Sequence, residues 1–151
     1  ETDQRRAQLL ALAKGAFFGL NLTHTRGDMY RAALEGIAAG TAHVLECYAK
    51  AGAVPERVLA VGGGTKNEVW LQAISDFGAV PQFVCEKTVG ASFGNAFLAA
   101  LAIGAAKPED IAQWNPLART VTPEVVPAYQ RQYPLWKALY EQTKAIAHRL
   151  G

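Results

Sequence analysis

The segment Val58–Gln72, VLAVGGGTKNEVWLQ, constrains this chain more than any other. A β-branched apolar run, Arg57–Val61, leads into Gly62-Gly63-Gly64. Helical spacing then resumes through Trp70, Leu71, Ile74 and Phe77. The pattern predicts a buried strand, a tight turn and a helix over Asn67–Phe77. Glycine has no Cβ, so three in a row permit a sharp turn and also let a ligand approach the backbone. The N–H groups that open the following helix lack intrahelical partners and favour a phosphate. Asn67 offers both a donor and an acceptor. In an open α/β sheet, ligands sit at the carboxyl ends of strands. On these residues alone, a turn that binds nothing is the better account, because short glycine motifs have many false positives. Gly-x-Gly-x-x-Gly is absent, and so is Gly-x4-Gly-Lys-Ser/Thr, since Asn67 follows Lys66. Neither a dinucleotide fold nor a P-loop enzyme is supported.

The rest of the chain alternates strands and helices. Asp3–Ala13 is helix-permissive. Gly15–Leu20 (GAFFGL) reads as a strand and Asn21–Arg26 as a polar loop. A long helix follows to about Lys50, with Thr25 as N-cap and Asp28 as a shortened capping-box partner. Its predicted face carries Tyr30, Leu34, Ile37, Thr41, Val44 or Leu45, and Tyr48. Gln82–Glu86 reads as a strand. Val89–Ile103 reads as a small-residue packing helix closed by Gly104, and about Pro108–Gln113 as a short helix. A Pro-rich connection (Pro116, Pro123, Pro127) leads to an amphipathic C-terminal helix with Tyr129, Tyr133, Trp136 and Tyr140 on one stripe. Pro134 marks its first turn or a kink. Strands joined through helices imply an α/β fold with parallel pairing.

Composition narrows the function classes. In 151 residues, 15 Lys and Arg stand against 13 Asp and Glu, a net charge of +2. That scattered balance gives no footprint for nucleic acid or an anionic membrane surface. No apolar run approaches a membrane span. Cys47 and Cys85 form no metal spacing or disulfide framework. They read as buried small hydrophobes in a reducing, cytoplasmic setting.

Three motifs, in order and at these spacings, resemble the C-terminal domain of the FGGY family of carbohydrate kinases, of xylulokinase and glycerol kinase type. They are GAFFGL followed by Thr23-His24-Thr25-Arg26 and MYRAALEGIA; Gly62–Asn67 followed by Trp70, Gln72 and Asp76; and Lys87–Gly104. The resemblance implies a ribonuclease H-like, actin-like ATPase domain with a partly parallel sheet flanked by helices. The first hairpin of that core is expected to be missing, which exposes a sheet edge. The division expected is a leader over 1–14 and the domain over 15–151.

By the same resemblance, Gly63 and Asn67 stand where the family contacts nucleotide, and Gly62 and Gly64 shape that turn. The implied activity is transfer of the ATP γ-phosphate to a sugar or polyol hydroxyl, with Mg2+ carried by the nucleotide. The general-base Asp is expected upstream, so no catalytic residue and no metal ligand is assigned here. Asp3, Asp28 and Asp76 do not match that role, and His24 reads as structural. The sugar is expected to bind mainly to an N-terminal domain. Alone, the chain is expected to be inert and to self-associate as a homo-oligomer. The alternative is a non-enzymatic actin-like nucleotide-binding or regulatory domain.

Overall fold

The computed structural model describes residues 15–150. The expected leader and the helix-permissive Asp3–Ala13 lie outside the described residues. The chain divides into two units. One joins the described residues up to Ala33 with those from Pro127 onward, and the other is Leu34–Val126.

The second unit holds the sheet. Strand β1 (Val58–Ala60) pairs parallel with β2 (Gln82–Cys85), and β2 pairs antiparallel with β3 (Leu117–Val121), in the order β1-β2-β3. Val58 faces Gln82 in the first ladder, and Val84 faces Arg119 in the second. The expected parallel pairing holds for β1 and β2. The antiparallel β3 falls within the stretch read as a Pro-rich connection. Only Val121 of its five residues is buried, so the strand carries no apolar alternation to announce it.

Helix α1 (Arg26–Lys50) runs for 25 residues. Its start is built as expected. The Thr25 N–H and hydroxyl donate to Asp28 Oδ2 at 2.8 and 2.7 Å, and the Asp28 N–H donates to Thr25 Oγ1 at 3.3 Å. These bonds hold the Asp28 carboxyl below its usual value, the Thr25 backbone N–H contributing most. The buried face differs from the predicted one. Leu34, Ala38, Ala39 and Ala42 are buried, whereas Tyr30, Ile37, Val44 and Tyr48 are exposed. Of the predicted face, Leu34 is buried and Thr41 and Leu45 are half-buried; the rest of the buried stripe is alanine, which lets another backbone come close and which a search for large apolar residues passes over.

Helix α2 (Glu68–Gly78) lies against the sheet, with Leu71, Val84 and Val121 forming a core over Ala60. It ends on Ala79 in the left-handed conformation (φ 50°), where glycine would be unstrained. Helix α3 (Ala91–Ala102) buries Phe97 and Ala100. These join Ala106, and Trp114 meets Phe97 edge-on at 5.1 Å. The remainder of α3 is not the enclosed packing helix expected, because Leu98 and its small residues stay largely exposed. The short α4 (Ile111–Trp114) precedes β3.

In the first unit, GAFFGL forms no strand. It bends at Gly19 (φ 81°), and Phe17, Phe18 and Leu20 are exposed. A strand needs a neighbour to take its backbone bonds, and none of the described strands pairs with it. Helix α5 (Pro127–Ala147) continues through Pro134, which removes the N–H that would reach the Gln130 carbonyl. Tyr129 is buried and its hydroxyl accepts from Arg31 Nη2 at 2.9 Å. Tyr133 and Trp136 stack 6.3 Å apart.

Candidate functional site

The glycine turn opens at the carboxyl end of β1, as the sequence indicates. Gly62 sits at φ 89° and ψ −174°, and Gly63–Lys66 make one 3-10 turn. Asn67 then caps α2, its Oδ1 accepting the Trp70 N–H at 3.1 Å. The turn is closed internally. The Gly62 carbonyl accepts both the Thr65 N–H at 3.2 Å and the buried Thr65 hydroxyl at 2.7 Å. The Asn67 N–H donates to the Gly64 carbonyl at 3.0 Å.

The three glycines are not equivalent. Gly62 occupies a region of backbone space that side-chain-bearing residues avoid. Gly64 lies over the Trp70 indole, and a Cβ there would fall 2.6 Å from Trp70 Cζ3. At Gly63 neither reason applies: its φ is not positive, and a Cβ would meet nothing within 4 Å. The fold therefore requires glycine at two of the three positions and places no such demand on the middle one.

A second loop adjoins the turn. The Gly62 N–H donates to the Thr88 carbonyl at 2.7 Å, linking the ends of the two parallel strands. Asn115 holds this loop from both sides, accepting from the Lys87 N–H and donating to the Lys87 carbonyl, each at 2.8 Å. Gly90 (φ 67°) then starts α3.

Two residues that hold this region were missed by sequence reasoning. Asn115 is one. Arg119 on β3 is the other: its Nη2 donates to the Thr65 carbonyl at 3.1 Å and its Nη1 to Glu68 Oε1 at 3.1 Å. Both come from a segment where no element was expected, and 54 residues separate Arg119 from Thr65. No local pattern signals such a contact.

The carboxylates and the loop histidine prove to be engaged structurally. Asp28 caps α1. Asp76 Oδ1 accepts the Gln72 amide at 2.7 Å and the Glu124 N–H at 2.7 Å. His24 Nδ1 accepts the Asn21 N–H at 3.0 Å, which makes it part of a local turn. Among the described residues, no group of three or more His, Cys, Asp or Glu could hold a metal ion, and no helix is long and apolar enough to cross a membrane. Cys47 is exposed and Cys85 half-buried, so neither is the fully buried hydrophobe expected.

Residues 3–103 match the profile of the FGGY family of carbohydrate kinases, C-terminal domain. This chain belongs to that family. Xylulose kinase from Staphylococcus epidermidis is 29% identical over 140 residues, covering 90% of this chain and 28% of the relative. Glycerol kinase from Oleidesulfovibrio alaskensis is 33% identical over 139 residues, covering 89% and 28%. The crystal structure of xylulose kinase from Rhodospirillum rubrum superimposes with a TM-score of 0.76 at 28% identity, over 97% of this chain and 36% of that one. The chain thus spans about 28% of the length of the curated relatives it matches. The fold is that of the FGGY kinases, an actin-like ATPase α/β domain with a small mixed sheet flanked by helices.

Proposed function

We propose that this chain is the ATP-binding part of a carbohydrate kinase acting on a ketose or polyol, with the turn Gly62–Asn67 as its nucleotide contact. The observation that carries the reading is Gly63, a glycine that no internal packing or backbone strain requires, at the carboxyl end of a parallel strand. The bare surface at Gly62 and Gly63 fits a phosphate chain brought close to the backbone. ATP supplies the phosphoryl group, with Mg2+ arriving on its phosphates.

The chain's own part is positioning. Gly62 and Gly63 admit the nucleotide, Thr65 holds the turn's shape, and Asn67 ties the turn to α2. On this reading the general base and the sugar-selecting residues lie in the remainder of a longer kinase, which agrees with Asp28 and Asp76 being committed to backbone N–H groups. The setting is cytoplasmic, where ATP is plentiful.

Gly63→Val is expected to abolish Mg-ATP binding in titration calorimetry while leaving the melting temperature unchanged. Asn67→Ser keeps a capping oxygen and removes the amide, and is expected to weaken binding without fraying α2. Unchanged affinity in both variants would sink the site assignment. Release of ADP from the full-length protein, with a panel of ketoses, polyols and sugar acids, tests the kinase activity. Nucleotide binding without turnover on any of them would favour a nucleotide-gated regulatory domain instead.

A further inference from the structure

Arg119 reaches from the last strand of the sheet to the glycine turn. Its planar guanidinium spans the junction between turn and helix, bonding the Thr65 carbonyl on one side of Asn67 and the Glu68 carboxylate on the other, each at 3.1 Å. Glu68 is 80% exposed and Arg119 40%, so the ion pair itself adds little to global stability. The bond to Thr65 has a different consequence. A turn with three glycines has the most backbone freedom to lose, and a ligand that orders it must bear that cost. Thr65 is also the residue whose hydroxyl closes the turn on Gly62.

We infer that Arg119 is a positioning residue for nucleotide binding, holding the Gly62–Lys66 turn in its binding shape before the ligand arrives. The inference rests on the nucleotide reading given above. It assigns Arg119 no contact with the nucleotide. Its effect passes through Thr65, and it acts by preorganisation. A lysine in its place has a compact charge and cannot bond both partners in the fixed fork that arginine offers.

The test uses the full chain and Mg-ADP as the probe, with calorimetry and amide hydrogen exchange as readouts. Arg119→Met is expected to bind Mg-ADP about tenfold more weakly, the scale of one lost charge-assisted hydrogen bond. The amides of Gly63–Lys66 should exchange faster, with the melting temperature little changed. Arg119→Lys should recover part of the affinity. Glu68→Ala, which removes the ion pair but keeps the bond from Arg119 to the Thr65 carbonyl, should cost less than Arg119→Met. If the parent binds Mg-ADP, Gly63→Val loses it and Arg119→Met binds like the parent, the positioning role is overturned and the nucleotide site stands. If the parent and Gly63→Val behave alike, the nucleotide reading fails and the role of Arg119 fails with it. Should Arg119→Met not fold, the ranking of parent, Arg119→Lys and Glu68→Ala decides: a lysine variant that binds and exchanges like the parent overturns the role.

Discussion

Gly62, Gly63 and Gly64 are one word in the sequence and three different environments in the structure. Gly64→Ala drives a methyl into the Trp70 ring and is expected to cost about 1–3 kcal/mol of folding stability, read as a lower urea midpoint. Gly63→Val, by contrast, should leave that midpoint in place. The triplet was legible as a strand-to-helix turn because glycine runs have few other uses there. The division of labour within it was not, since it depends on a φ angle and on an indole six residues away. Asp28 was legible from its spacing to Thr25. Its carboxyl is held below the ordinary value of 3.8. The capping contribution should therefore be complete above that pH and disappear as pH falls through the lower folded value. Carboxyl NMR titration of Asp28 checks this, and a midpoint at or above 3.8 would contradict it.

At the scale of elements, α2 is tied to the sheet by side-chain hydrogen bonds. Gln82 is buried and donates to the Leu71 carbonyl at 2.7 Å and to Ser75 Oγ at 2.9 Å; Ser75 Oγ in turn donates to the Val121 carbonyl at 3.2 Å. Gln72 reaches the Thr122 carbonyl at 2.9 Å. These bonds fix the helix that the glycine turn opens. Gln82→Ala is expected to destabilise by about 2 kcal/mol, since it strips a buried network of its donor. A denaturation midpoint matching the parent's would show that the network is dispensable. Elements with strong local signals were readable: β1, β2, α2, α3 and α5 all fall where periodicity put them. GAFFGL and β3 show the limit of that approach. The first has strand composition but no strand to pair with. The second has little strand composition, and exists because β2 offers it an edge.

At the scale of the whole chain, size and exposure disagree. A chain of 151 residues can enclose a sizeable core, yet Phe18, Leu22, Ile37, Val44 and Leu98 are all exposed. The outer edge of β1 has no partner strand among the described residues. Surfaces of this kind seek cover. The isolated chain is expected to self-associate, with an apparent mass in sedimentation equilibrium that rises with concentration. A single monomeric mass across the micromolar range would contradict this. The relatives are more than three times longer, so the same surfaces have other chain available to them there.

The indole beneath Gly64 has an optical consequence. Trp70 packs directly against the backbone of the turn, and its Nε1 is buried without a hydrogen-bond partner. Its emission should therefore respond to small shifts of Gly64. The other two tryptophans lie elsewhere, Trp114 against Phe97 and Trp136 against Tyr133. With both replaced by phenylalanine, the chain carries an intrinsic fluorophore under its own candidate site. Ligand arrival could then be followed in real time, at nanomolar protein and without a label.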